Sequence, residues 1–232
     1  STQALTGVGF QPDATWIKAR NNTDNHALYD ALRGATETLY PNTDGAEVTT
    51  ANGLTAFDAD GFTCGDANIV NGGTGRIYAS WNWKAGTTTG LSGGTITPSS
   101  YSINATAGIG IYAYAGTGSN GTIAHGLGTG SKFIMVKNIS SGAGYNWKGT
   151  STRLQIDSGA YYNLYLNTTA AETNETATFN STLMGDTVFN LGTNAGTNGS
   201  GHNYIAYLFS SKRGFSKMGS YQGNGNADGP FV

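Results

Sequence analysis

The sequence has a single cysteine, Cys64, and only four prolines in 232 residues. One cysteine cannot form a disulfide within the chain, so the fold does not need an oxidising compartment. We expect Cys64 to be a small buried residue rather than a reactive thiol, because it lies in a predicted strand. No apolar run approaches the roughly 20 residues of a membrane-spanning helix, so we expect no membrane insertion.

Charge is also scarce, because charged residues make up 11% of the sequence and the formal net charge is −2. Without a basic patch to neutralise a phosphate backbone, nucleic-acid binding is not expected. The few carboxylates form no recurring acid–base pair, and the histidines do not lie at metal-ligand spacing. We therefore expect a protein that is not an enzyme and that uses no cofactor.

Glycine, in contrast, occurs at 36 positions, together with abundant threonine, serine and asparagine. This composition favours tight turns and strands over helices. Segment 77–83 alternates clearly, with Ile77, Trp81 and Trp83 on one face, as is typical of a half-buried antiparallel strand. Further strands are predicted at 15–18, 108–114, 132–137, 161–166 and 204–209.

Two segments are less regular. Segment 204–209 is apolar on both faces, so its second face must be covered, either by the same chain or by another copy or subunit. Residues 26–34 fit a short helix or a strand, and we favour the strand. Many short strands with glycine-rich turns predict an all-β fold, an antiparallel β-sandwich of jelly-roll type.

An internal repeat is the strongest signal along the chain. Residues 39–47 resemble residues 164–172, at an offset of 125 (164 − 39). The offset drifts from 119 upstream (Gly7 to Gly126) to 127 downstream (Phe62 to Phe189), as expected of two copies that differ by small insertions. The predicted units are a first β-sandwich repeat at 1–90, a second at 91–213, and the start of a third at 214–232.

The C-terminal segment resembles a strand of the second copy. Residues 221–225 match residues 114–118, and the first copy begins without an equivalent strand. We expect residues 214–225 to complete the first copy, either of the same chain or of a neighbouring subunit by strand donation. The candidate assembly residues are Phe215, Met218 and Tyr221.

Aromatic residues near predicted loops are candidates for stacking on sugar rings, with core packing as the alternative. These candidates are Trp83, Tyr145, Trp147, Tyr161 and Tyr162.

Two acids, Asp58 and Asp60, are the weak candidates for a metal site. An Asp-x-Asp-Gly turn can bind calcium, and a carboxylate pair can serve glycoside hydrolysis. The corresponding stretch of the second copy keeps only Asp186. We therefore favour an ordinary hairpin turn.

The chain contains the motifs GVGFQPD (7–13), WIK (16–18), NHALYD (25–30), RG (33–34), DGFT (60–63), SYQGNG (220–225) and DGP (228–230). These motifs resemble a repeat family found in predicted structural proteins of aquatic bacteriophages, a domain of unknown function whose pattern is similar to concanavalin-like jelly rolls. The resemblance covers essentially the whole chain, although residues 130–132 of the second copy lack the expected Pro-Asp. It implies a β-sandwich in a virion or tail-fibre setting, with no catalytic residues.

These observations predict a virion structural module, as a tail fibre, spike or decoration, for assembly and host-surface adhesion by multivalent display. One alternative is a stand-alone carbohydrate-binding, lectin-like module. Another is a subunit of an extracellular filament built by strand donation. The expected partners are further copies of the chain, other virion proteins and host-surface glycans.

Overall fold

The computed structural model describes residues 1–128, 130, 133–140, 144–152, 154, 156–157, 160–180, 184–226 and 229. These residues form antiparallel strands and two one-turn helices, which confirms the predicted all-β fold. The predicted strands are confirmed as well, although segment 161–166 divides between two short strands. No helix in this part of the chain is long and apolar enough to cross a membrane.

The strands are β1 (Gln3–Thr6), β2 (Ala14–Ala19), β3 (Ala27–Asp30), β4 (Glu37–Thr38), β5 (Val48–Thr49), β6 (Leu54–Asp58), β7 (Gly61–Cys64), β8 (Tyr78–Trp83), β9 (Ser100–Asn104), β10 (Ile109–Ala115), β11 (Gly121–Ala124), β12 (Phe133–Asn138), β13 (Lys148–Ser151), β14 (Ile156–Asp157), β15 (Ala160–Tyr161), β16 (Leu164–Tyr165), β17 (Val188–Leu191) and β18 (Asn203–Phe209). The helices are α1 (Asn68–Asn71) and α2 (Thr176–Phe179).

The main sheets stack in four layers. The first has the strand order β1-β7-β6 and the second β3-β2-β8. The third is six-stranded, in the order β16-β13-β12-β18-β10-β9, and the fourth is the pair β11-β17. Two further two-stranded sheets are β4-β5 and β14-β15. Three hydrophobic cores fill the spaces between consecutive layers.

Strand alternation explains how one strand serves two cores. In β2, Ile17 faces the N-terminal core between layers one and two, whereas Ala14 and Trp16 face the central core between layers two and three. Cys64 is fully buried in the N-terminal core, as predicted, and burial raises the pKa of its thiol to about 12. Such a thiol is unreactive at neutral pH.

β18 is apolar on both faces because each face packs into a different hydrophobic core. Tyr204, Ala206 and Leu208 point into the C-terminal core between layers three and four. Ile205 and Tyr207 point into the central core, where the second layer of the same chain covers them. The second face is therefore covered within the chain.

A buried polar network crosses the central core. The Tyr207 hydroxyl donates a 2.5 Å hydrogen bond to Asp30, and the Arg33 side chain donates to Asp30 at 2.6 Å and to Glu47 at 2.9 Å. Burial raises the pKa of Tyr207 well above its usual value, so the hydroxyl keeps its proton and remains a donor. Asp30 also accepts the backbone N–H groups of Leu32 and Arg33, and this Asx turn closes the end of β3.

Candidate functional site

An apolar groove of about 610 Å³ opens where the central core reaches the surface, between layers two and three. Trp16 and Trp83 contribute from the second layer, and Met135 contributes from the third. Residues after β18 cover part of one side. The side chains that line the groove are Phe10, Trp16, Asn82, Trp83, Lys84, Asn104, Ala107, Ile109, Phe133, Met135, Leu166, Phe209, Phe215, Ser216 and Met218.

Aromatic contacts, two edge-to-face and one tilted, set the shape of the groove. Trp83 meets Phe209 at a centroid distance of 6.1 Å, and Phe209 meets Phe133 at 6.0 Å. Trp16 contacts Trp81 at 6.4 Å, directly across from it in the β2–β8 pair. Such pairs contribute more than their buried area alone, so the walls are well ordered by their own packing.

A smaller recess of about 260 Å³ adjoins the groove and is lined by Trp16, His26, Trp81 and Trp83. The Trp16 indole N–H donates to Nδ1 of His26 at 3.1 Å. Burial, together with the nearby Lys18 cation, lowers the pKa of His26, so the imidazole is neutral at pH 7 and can accept this bond. The recess therefore presents aromatic surface with its nearest polar atoms already paired.

The two asparagines that line the groove already form hydrogen bonds within the protein. Asn82 accepts from the Thr15 hydroxyl at 3.0 Å and donates to Ser80 at 3.3 Å. Asn104 donates to the Lys84 carbonyl at 3.1 Å and accepts the backbone N–H of Ala107 at 2.9 Å. Among the described residues no carboxylate lines the groove. A hydroxyl-rich sugar would find few hydrogen-bond partners here, whereas an apolar side chain would be well accommodated.

A family model for a domain of unknown function, DUF7483, matches residues 1–232. The chain belongs to this family. No curated protein and no solved structure matches it. The DUF7483 match spans the whole chain, so the groove lies within the family domain and both of its walls are part of it.

The predicted sugar-stacking residues do not converge in this DUF7483 chain. Trp147 is fully buried in the central core, where its indole N–H donates to the Tyr40 carbonyl at 3.1 Å. It cannot stack on a sugar, so the core-packing alternative is correct for this residue. Tyr145 is half-buried against His202, at a centroid distance of 5.5 Å.

Among the other sugar candidates, Trp83 lies in the groove and Tyr162 is half-buried outside it. The side chain of Tyr161 lies outside the described residues.

The predicted assembly residues are partly brought together. Phe215 and Met218 line the groove beside Trp83, while Tyr221 lies outside the lining and is 72% exposed. The sequence analysis did not identify Trp16 as a site residue. Strand alternation places Trp16 on the same face of β2 as Ala14, and this pattern could have identified it. Phe133 and Phe209 were missed as well, because their place in the groove depends on how the two sheets pack.

Asp58 and Asp60 form a hairpin turn between β6 and β7. The Asp60 carboxylate accepts the backbone N–H groups of Gly7 and Gly9 at 3.0 and 2.6 Å, which lower its pKa. Asp58 accepts the Thr63 hydroxyl at 2.7 Å. No cluster of three or more metal-ligating side chains occurs in the part of the chain that the structure describes.

Proposed function

We propose that this chain is a non-enzymatic structural module of a multi-copy assembly, in which the β8 edge and the adjoining groove receive an extended segment of a second copy. One observation carries the proposal. β8 occupies the place in the second layer that β18 occupies in the third. There β18 pairs with β12 on one side and with β10 on the other, whereas within the described residues β8 pairs only with β2.

The proposal treats the chain as two copies of one unit, and the strand pairing supports this. β2 lies between β3 and β8 just as β12 lies between β13 and β18, and β1 pairs with β7 just as β11 pairs with β17. Ala14 faces Trp83 where Phe133 faces Phe209. This register equates β8 with β18 at an offset of 126 (209 − 83), one less than the sequence matches give.

The open β8 edge carries exposed apolar side chains. Trp81 is 51% exposed and lines the recess, and Ile77, which directly precedes β8, is also 51% exposed. An edge strand with unpaired backbone groups and apolar side chains is a template for pairing with another strand. The low charge of the chain leaves little electrostatic repulsion against such pairing.

The occupant that we propose is the segment 214–225 of another copy. Phe215 is 73% exposed, and residues 213–226 belong to no strand of their own chain. Residues 221–225 resemble residues 114–118, where β10 ends. Because β10 is the strand that pairs with β18, a β10-like segment is the natural partner for β8.

The β10–β18 pair also supplies a register. Tyr114 faces Tyr204 and Ile111 faces Tyr207. The C-terminal segment is offset from β10 by 107 residues (221 − 114), and β18 is offset from β8 by 126 residues (209 − 83). When both offsets are applied to the β10–β18 pair, Tyr221 would face Tyr78, and Met218 would face Trp81. A methionine thioether against an indole is a favourable contact.

We assign the assembly to a phage virion, as a tail fibre, spike or decoration, on the strength of the sequence resemblance. Repetition of the module would let weak contacts with a host surface gain avidity. An extracellular filament built by the same strand donation is the alternative setting. The apolar lining of the groove favours a protein occupant over a glycan, so a stand-alone lectin-like module has less support.

Light scattering on the full chain tests the proposal. We expect the mean mass to rise with concentration beyond that of one chain, and Trp81→Lys to abolish the rise by placing a charge on the edge. The matched control is Val48→Lys, which alters another exposed apolar residue, outside the groove, and should leave association unchanged. A wild-type chain that stays monomeric at every concentration would refute the proposal.

A further inference from the structure

A lysine, a glutamate and an asparagine meet on the opposite side of the third layer. Lys148 Nζ lies 2.5 Å from Oε2 of Glu175, and the side-chain nitrogen of Asn194 donates to Oε1 of the same carboxylate at 2.6 Å. Lys148 begins β13, Glu175 immediately precedes α2, and Asn194 follows β17. One carboxylate therefore holds an amine nitrogen on one oxygen and an amide nitrogen on the other.

The carbonyl of the same amide is polarised. The Asn194 side-chain oxygen accepts the backbone N–H of Gly196 at 2.7 Å, which also fixes the orientation of the amide. A Cβ on Gly196 would lie 2.8 Å from Cε of Lys148 and 2.9 Å from this oxygen. The lysine stem and the amide thus adjoin the same glycine, and the absence of a side chain leaves room for them.

The surroundings order the cluster. Lys148 is buried, and its ammonium lies 5.1 Å from the centroid of the Tyr165 ring. The hydroxyls of Thr178 and Tyr165 donate to the Glu175 carboxylate at 2.9 and 3.3 Å. These contacts hold the three reacting groups in one geometry, as intramolecular reactions require.

We propose that Lys148 and Asn194 become joined by an intramolecular amide bond, with Glu175 as the proton carrier. The Lys148 amine attacks Cγ of Asn194, a new C–N bond forms, and the bond from Cγ to the asparagine nitrogen breaks. The displaced nitrogen leaves as ammonia. No oxidant or external reactant is needed, and each chain reacts once.

Each proton step follows from a contact already present. Glu175 first takes a proton from the Lys148 ammonium through Oε2, which leaves the amine neutral and nucleophilic. It then returns that proton to the Asn194 nitrogen, which Oε1 already contacts, and accepts the second proton of the attacking amine as the new amide forms, so ammonia leaves and the Glu175 carboxyl ends protonated. The Gly196 N–H stabilises negative charge on the carbonyl oxygen as the amine attacks. Burial raises the pKa of Glu175, but the hydrogen bonds from Lys148 and Thr178 and the Lys148 charge lower it overall, so the acid begins as the carboxylate that this sequence requires.

A second amide, Asn163, is the rival electrophile. Its side-chain nitrogen donates to the Glu175 backbone carbonyl at 3.0 Å and not to the carboxylate. Its side-chain oxygen is buried without a hydrogen-bond partner. Because neither its nitrogen nor its oxygen contacts the Glu175 carboxylate, we assign the reaction to Asn194.

Intact mass spectrometry of the purified full chain tests the bond. We expect a mass lower than the sequence mass by one ammonia, and a trypsin digest in which peptide 138–153 remains joined to peptide 154–212. Glu175→Gln and Lys148→Arg should each restore the full sequence mass of the variant. Lys137→Arg is the matched control and should keep the loss, because this buried lysine donates to the backbone carbonyls of Asp44 and Tyr145.

An unmodified wild-type mass would overturn the proposal, as would a loss of ammonia that persists in Glu175→Gln. Fragmentation that maps the join to Asn163 would overturn the assignment to Asn194. The test is independent of association, so failure of the crosslink and failure of the proposed function are distinguishable.

Discussion

Trp147→Ala is expected to lower the free energy of unfolding by about 3–5 kcal/mol, the usual cost of removing a fully buried tryptophan from a core. The ring packs on Tyr207 at a centroid distance of 6.2 Å, and its indole N–H reaches the Tyr40 carbonyl in the first half of the chain. The substitution would therefore open a cavity between layers two and three. Urea unfolding followed by tryptophan and tyrosine fluorescence measures the loss.

Trp81→Ala is the matched control, because Trp81 is half-exposed at the edge of β8. Its truncation should cost under about 1.5 kcal/mol, since much of the ring already contacts water. Equal losses in the two variants would contradict the central packing. A Trp147→Ala protein that is as stable as the wild type but binds sugar differently would contradict the core-packing role of Trp147 and support sugar stacking.

Lys148→Arg is expected to lower the free energy of unfolding by roughly 4 kcal/mol, because it removes the proposed crosslink. The bond would close a loop between residues 46 apart (194 − 148), and such a loop restricts the unfolded chain. Arginine can still pair with Glu175 but forms no amide. For a chain of this size we expect the melting temperature to fall by about 10 °C, as measured by calorimetry.

Two comparisons accompany this measurement. Glu175→Gln should lose a similar amount, since it also prevents the bond. Lys84→Arg, at an exposed lysine of the groove, should melt within about 2 °C of the wild type. Wild-type stability in both Lys148→Arg and Glu175→Gln would show that no covalent bond supports the fold.

The strands were predictable because alternation is a local property of the sequence. The pattern of residues 77–83 and the apolar run at 204–209 each produced a strand, and the turn at Asp60-Gly61 followed from its composition. Gly61 adopts φ +147°, and a Cβ there would lie 1.9 Å from the Leu5 carbonyl oxygen, so this turn requires glycine.

The sites were less predictable because they depend on packing between distant segments. Trp147 precedes β13 and looked like a loop aromatic, but the second layer covers it. The groove is lined by side chains of layers two and three together with residues that follow β18, and these lie far apart in the sequence. Lys148, Glu175 and Asn194 lie 27 and 19 residues apart (175 − 148 and 194 − 175), and no local pattern links them.

Disulfide trapping between two variants tests strand donation most directly. In the proposed register Ser220 of one copy faces Ala79 of the next, as Ala113 faces Ile205 within the chain. We expect Ala79→Cys and Ser220→Cys chains, mixed and oxidised, to give a covalent dimer on a non-reducing gel, while buried Cys64 stays unreactive. A yield no greater than that of Val48→Cys mixed with Ser220→Cys would contradict assembly through the β8 edge.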